Sequence, residues 1–299
     1  MDDKDLNDFR QVGKITAKIR DESKSLIMIG EPLLEIAETI EQMIKDEGIQ
    51  PAFPVNISLN EIAAHYTPEF DDKTTLGEKD LVKIDIGGLL NGAIADTAYT
   101  IALSSEHDKL VEASQEALKK ALEMIRPGVT IGEVGGIIED TTKSYGFKPI
   151  SNLSGHMIQK NNLHAGITVP NVRTTDPYEF REGEVYAIEP FVTTGVGYVE
   201  DTERVEIFSL YSPSPIRMRH TRQVLKYILE TFGPNPFAER WVRKKFSSKM
   251  LVSASLREML ERQVVQGYAV LKEAENGLVA QSEHTILVTE KGCEILTKA

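Results

Sequence analysis

Cysteine is almost absent from this sequence: Cys293 is the single one in 299 residues. One thiol cannot close an intramolecular disulfide, and a metal site built on a cysteine cluster is excluded. Any bound metal must be held by carboxylates and imidazoles. Long apolar runs are missing too. No stretch of about 18 apolar residues occurs, so no membrane-spanning helix is expected. The opening segment MDDKDLNDFRQVGKITAKIRDES is polar where a secretory signal needs an apolar centre. A cytoplasmic protein with no membrane partner is expected. Positive charge is also short: 34 Lys and Arg stand against 46 Asp and Glu, a formal net charge of -12. That balance argues against a generic nucleic-acid binder and leaves room only for a local basic patch.

What is present suits a globular chain, with 41% hydrophobic and 27% charged residues. The length is enough for one large domain, or one domain with an insertion. Apolar residues at helical spacing (Phe9, Val12, Ile15, Ile19, then Leu33, Ile36, Ile40, Met43) predict two helices broken near Gly30 and Pro32. A helix is predicted from about His107 to Arg126. Another opens at Thr130, where Thr-Ile-Gly-Glu matches a capping box. Residues 81–101 are β-branched and apolar around Asn91-Gly92, a strong hairpin signal. Residues 184–205 read as a second hairpin, and a short strand is predicted around Thr285–Val288. Asp80–Asp85 resembles Glu184–Glu189, and each is followed by an Asp-Thr pair, Asp96-Thr97 and Asp201-Thr202. Either a duplicated fold with facing halves or chance likeness accounts for this.

Chemistry-bearing residues sit in these segments. A two-residue turn at Asn91-Gly92 pairs Leu90 with Ala93 and sets Asp85 opposite Ala98. Asp96 then lies diagonally on the same face, while Val82, Ile84 and Ile86 point into a core. Two carboxylates on one apolar hairpin repel each other and lose hydration, a cost that a divalent cation relieves. A solvated face fits the pair equally well. His156, in Ser-Gly-His-Met-Ile, and His164, in Leu-His-Ala-Gly, lie in apolar surroundings, and His65 ends Glu-Ile-Ala-Ala-His. Glu189 and Glu283 are each embedded in an apolar strand, where a glutamate needs an ion partner or a metal.

In order, KIDIG with IADTAYT, SGHMI with LHAG, YAIEPF and AQSEHTIL resemble the signature of the methionine aminopeptidases over nearly the whole chain. Any one of these motifs is weak; the set in this order is specific. The resemblance implies an α+β architecture, the pita-bread (creatinase/aminopeptidase) fold with pseudo-symmetric halves. It implies two divalent metal ions, of cobalt, manganese, iron or zinc. Asp85 would chelate one, His156 and Glu189 the other, and Asp96 and Glu283 would bridge both. Glu189 would shuttle protons, His65 would contact substrate, and His164 would hold the reacting carbonyl. Phe53, Leu163, Phe191 and Tyr268 would line a methionine pocket. The implied reaction removes N-terminal methionine from peptides and nascent chains, with a small second residue preferred.

The subtype resembled is type II in its compact archaeal-like form. Between Ile216 and Arg262 the chain has eleven Lys or Arg against four Glu, with four prolines nearby and the single Trp241. This predicts a small helical, winged-helix-like insertion over 208–268, with 1–207 and 269–299 forming the catalytic domain. A monomer is expected. The basic insertion also raises two partner readings: an active enzyme docked on the ribosome, or an inactive relative serving as a ribosome- or RNA-binding module. A prolidase-like peptidase is the closer rival, disfavoured by the absence of room for an N-terminal domain.

Overall fold

The computed structural model describes residues 2–212 and 214–298. Helix α1 (Asp3–Ser23) opens on Asp2, whose carboxylate accepts the Asp5 amide at 2.8 Å. It buries Phe9, Val12 and Ile19. Gly30 takes a positive φ of 88° and Pro32 lacks an N–H, so the chain breaks there before α2 (Leu33–Asp46). Strands β1 (Gln50–Pro51), β2 (Asn56–Leu59) and β3 (Ile62–Ala64) follow. Next come β4 (Leu81–Leu90), β5 (Ala93–Ala102), α3 (Asp108–Met124) and α4 (Ile131–Ser144). Then follow β6 (Lys148–Pro149), β7 (Ser154–Ile158), β8 (Thr168–Pro170), β9 (Val185–Ile188), β10 (Phe191–Thr193) and β11 (Val199–Leu210). A helical stretch, α5 (Arg219–Thr231), β12 (Phe237–Ala238), α6 (Glu239–Lys245) and α7 (Lys249–Glu261), precedes β13 (Val265–Glu273), β14 (Val279–Gln281), β15 (His284–Thr289) and β16 (Gly292–Ile295). The mixture is α+β, as expected, with antiparallel pairing in every ladder.

The first hairpin has the register its turn dictates. Asn91 and Gly92 both have positive φ (52° and 90°), and Leu90 pairs with Ala93 and Asp85 with Ala98. Val82, Ile84 and Ile86 enter one core with Phe9, Val12 and Ile19 of α1 and Ile40 of α2. A second core joins α3 and α4 to β7, β9 and β15 through Leu118, Ile138, Met157, Tyr186 and Ile286. The predicted capping box is formed: Thr130 Oγ1 accepts the Glu133 amide, and the Glu133 carboxylate accepts the Thr130 amide.

The second predicted hairpin, 184–205, does not form. β9 pairs with β7 and β15, β10 with β6 and β14, and β11 with β12 and β13. Pro190 cannot donate to a continuing ladder, so the chain leaves β9's sheet at that point. At the next bend the Glu273 carboxylate accepts four backbone amides, from Val196, Gly197, Glu275 and Gly277, at 2.6–3.1 Å. This carboxylate holds the bend open and turns β11 into a different sheet. Asp201 of the second Asp-Thr pair is exposed there. The partner of the second acidic strand is β15, near the end of the chain. Its register pairs His284 with Ile188, and one further step along it sets Glu283 opposite Glu189.

Helices α5–α7 pack their own core of Phe208, Val224, Ile228, Phe237, Val242 and Leu256. They connect to the rest through β11 and β13, which run unbroken past residues 207/208 and 268/269. Among the described residues no helix is long and apolar enough to cross a membrane.

Thr130→Ala is expected to lower the urea-unfolding free energy by about 1 kcal/mol through loss of the cap. Cys293 donates to the Leu122 carbonyl at 3.4 Å, and burial pushes its thiol up to about 11. At pH 9 the folded protein should therefore react with iodoacetamide at least about tenfold more slowly than the urea-unfolded chain; equal rates would contradict the burial.

A buried cluster of carboxylates and imidazoles

Five elements converge on one cavity floor. Asp85 and Asp96 come from the facing strands β4 and β5, His156 from β7, and Glu189 and Glu283 from the ends where β9 and β15 lie side by side. Asp96, His156 and Glu283 are 4%, 6% and 2% exposed. Each presents a ligand-type atom within 4.8 Å of the other two. His156 Nε2 lies 3.6 Å from both Asp96 Oδ2 and Glu189 Oε1. Gln281 Nε2 bridges Glu189 Oε2 and Glu283 Oε2, each at 3.4 Å.

The electrostatics of this arrangement are unfavourable as it stands. Burial first, and the neighbouring Asp96 next, push the Asp85 carboxyl well above the usual range. Burial does the same to Glu189 and Glu283, with Asp96 adding to it, and lifts Asp96 itself to about 7. Burial lowers His156 to about 4, so its ring is neutral near pH 7 and cannot compensate. Among the described residues no Lys or Arg pairs with any of the four carboxylates. Asp85 Oδ1, Asp96 Oδ1 and His156 Nδ1 are buried without partners. An oxygen-rich donor set with one neutral imidazole, and no internal counter-charge, fits divalent cations.

Threonines tie the two halves together beneath this floor. Thr285 Oγ1 accepts the Asp96 amide and donates to the Asp96 carbonyl, both at 2.7 Å. Thr97 Oγ1 donates to the Glu283 carbonyl at 2.8 Å, and Thr100 Oγ1 to the Gln281 carbonyl at 2.6 Å. Backbone and hydroxyl bonds thus fix the spacing of Asp96 and Glu283.

Above the floor is a narrow cavity of about 70 Å³. All eleven residues singled out from the sequence line it: the five just described, His65 and His164, and Phe53, Leu163, Phe191 and Tyr268. His164 stacks edge-on against His156, ring centroids 4.4 Å apart, and burial lowers it to about 3. His65 sits in the left-handed region (φ 64°), packs edge-on to Tyr268, and its Nδ1 lies 3.2 Å from the Ala269 carbonyl. A carbonyl can only accept, so Nδ1 carries the proton and Nε2 is left as an acceptor. Sequence reasoning missed Asn56, Ala64, Ile207 and Pro236, which also line the cavity, and Gln281 beneath it. Asn56 had a readable signal, because it is the cross-strand partner of Asp85 on β2. Ile207 and Pro236 come from the helical insertion's side and have no local signature. A larger groove of about 560 Å³ lies against α1 and α3, but its Arg20 and Lys24 are paired with Asp21.

Residues 7–290 match metallopeptidase family M24. The chain is 46% identical over 288 residues to the methionine aminopeptidase of Methanocaldococcus jannaschii, covering 96% of this chain and 97% of that protein. It is 48% identical over 294 residues to that of Pyrococcus abyssi, covering 98% and 99%. Among solved structures, a thermophilic Arx1 superposes with a TM-score of 0.87 at 17% identity, covering 100% of this chain and 92% of that one. The methionine aminopeptidase of Thermotoga maritima superposes with a TM-score of 0.73 at 23% identity, covering 100% and 98%. Both structures share the fold.

Because the four carboxylates have no internal counter-charge, adding manganese or cobalt to chelator-stripped protein should raise its melting temperature. The rise should shrink sharply in Asp96→Asn and Glu283→Gln, read by calorimetry; a parental rise in both would show that the cation binds elsewhere.

Proposed function

The chain belongs to metallopeptidase family M24, and on that premise we propose that its buried cluster holds two divalent cations that serve aminopeptidase chemistry. It is an aminopeptidase, a hydrolase acting on N-terminal methionine. The observation that carries the site assignment is the meeting of five metal-type side chains with two further imidazoles and four apolar residues in one cavity. These come from segments spread over residues 53–283. The inactive-relative and prolidase-like readings are not favoured.

In the proposed assignment Asp85, Asp96, His156, Glu189 and Glu283 would together hold the two cations. Cobalt, manganese, iron and zinc all suit such donors. Bound there, the cations would acidify a shared water and polarise the scissile carbonyl. The rest is the work of the chain. Glu189, on the cavity floor and bonded to Gln281, accepts a proton and returns it to the leaving amine. His164 is neutral near pH 7 and has one N–H to give to the carbonyl oxygen as charge develops. His65 offers its Nε2 lone pair to a substrate N–H. Phe53, Leu163, Phe191 and Tyr268 wall the side-chain pocket, where apolar and aromatic surfaces suit a thioether. The narrowness of the cavity supports a small second residue.

The segment 208–268 is proposed as a subdomain that supplies part of this wall through Pro236 and the adjoining strands. Its basic character has a local use. Arg243 lies 3.8 Å from Asp71, Lys244 2.9 Å from Glu38, and Arg240 pairs with Glu41. These charges hold the subdomain on the acidic body, which leaves the exposed Arg219 and Lys245 for a ribosomal contact. A cytoplasmic monomer acting on nascent chains is the proposed setting.

Release of free methionine from Met-Ala-Ser should require added cobalt or manganese and vanish in both Glu283→Ala and Asp96→Ala. No release from folded, metal-loaded protein would overturn the reading. His164→Ala should lower kcat about a hundredfold while KM changes far less, as expected for a donor acting in the transition state.

A further inference from the structure

A buried ion pair outside the carboxylate cluster binds segments whose near neighbours in the chain line the cavity. Glu41 of α2 and Arg240 of α6 are 2% and 1% exposed, and their side chains bind each other. Glu41 has both oxygens engaged. Oε1 also accepts the Val55 amide at 3.3 Å, and Oε2 accepts the Trp241 indole N–H at 2.8 Å. Arg240 reaches the other way, donating to Thr67 Oγ1 at 2.5 Å and to the Pro68 carbonyl at 3.3 Å. The Thr67 hydroxyl donates in turn to the Val55 carbonyl at 2.8 Å. The pair therefore ties three segments, around Val55, Thr67 and Arg240, to one another and to α2.

Each of those segments carries cavity residues within a few positions of the knot. Val55 lies between Phe53 and Asn56, Thr67 is two residues after His65, and Arg240 is four after Pro236. All four of these neighbours line the cavity and none is among the cation ligands. His65 occupies a left-handed backbone conformation that a non-glycine residue adopts only when its surroundings hold it there. The His65 ring is held by the Ala269 carbonyl and Tyr268, and the bonds from Arg240 to Thr67 and Pro68 fix the chain two and three residues further on.

We propose that Glu41 and Arg240 are positioning residues that lock three of the non-metal walls of the pocket, those carrying Phe53 and Asn56, His65, and Pro236, to one another and so set its affinity and side-chain selectivity. The proposal rests on the reading above that this cavity takes an N-terminal methionine. A buried ion pair contributes little net stability compared with apolar side chains of similar volume, whereas removing one partner is strongly destabilising. What the pair adds is direction: its bonds fix distances between segments that apolar packing leaves free to slide.

That difference supplies the test. Parent enzyme, the Glu41→Leu/Arg240→Met double variant and Thr67→Val, all cobalt-loaded, are compared for melting temperature and for kcat and KM on Met-Ala-Ser and Leu-Ala-Ser. The double variant should melt near the parent, yet its KM for Met-Ala-Ser should rise about tenfold with kcat changed by less than about threefold, because a small displacement of the walls weakens binding. Its preference for methionine over leucine should narrow. Thr67→Val, which changes no charge, should move KM the same way by about threefold. Folded variants that both keep the parental KM and preference would reduce the pair to a staple and overturn the proposal. If the double variant does not fold, Thr67→Val decides alone, a parental KM there overturning it. An inactive parent is a distinct outcome, which removes the aminopeptidase reading and this inference with it.

Discussion

Four carboxylates share one desolvated floor, and their mutual repulsion is the constraint on which the rest of the structure depends. Left alone, such a cluster would either take up protons or push its strands apart. Asp85, Asp96, Glu189 and Glu283 are held together with no paired Lys or Arg among the described residues, which is what supports the proposed cation site. A lysine in that position would neutralise the floor. Lys83, two residues from Asp85 on the same face of β4, is instead held by the Asn60 and Val279 carbonyls.

Holding like charges close requires a stiff frame, and the frame consists of neutral hydrogen bonds. Thr97, Thr100 and Thr285 bond β5 to the segment 281–285, so Asp96 and Glu283 are set by backbone spacing and not by their own attraction. Apolar packing on both outer sides, from α1 and α2 against β4 and β5 and from α3 and α4 against β9 and β15, keeps water from the ladder. Repulsion at the floor is thus opposed by burial on either side of it.

The insertion follows the same logic with the signs reversed. Its Arg240, Arg243 and Lys244 meet Glu41, Asp71 and Glu38 of the acidic body, so a charge imbalance within the chain becomes an attachment. The exposed pairs among these contribute little each in water. The buried Arg240–Glu41 pair is the directional one, and it lies beside the cavity wall.

Much was legible in order along the chain. Asn91-Gly92 fixed the β4–β5 register, and that register set Asp85 and Asp96 on one face, because a two-residue turn leaves no freedom in which positions pair. Thr130 and Glu133 announced α4 through bonds three residues apart. These are local devices, complete within a few residues. The resemblance of the ordered motifs supplied the remaining residues of the proposed site, which the fold brings into one cavity. What the linear order concealed were pairings between distant segments. Residues 184–205 alternate like a hairpin, yet Glu189's strand pairs with β15, nearly a hundred residues on, because Pro190 ends one ladder and Glu273 bends the chain into another. Ile207, Pro236 and the Glu41–Arg240 knot were equally hidden, since nothing in a short window records which remote wall a side chain will meet. The sequence by itself determined the first hairpin, the break between the first two helices and the start of α4, all set by short-range sterics and hydrogen bonding. Only the tertiary structure decided which strands lie side by side beneath the carboxylates and which segments close the pocket, because those choices depend on burying two apolar cores at once.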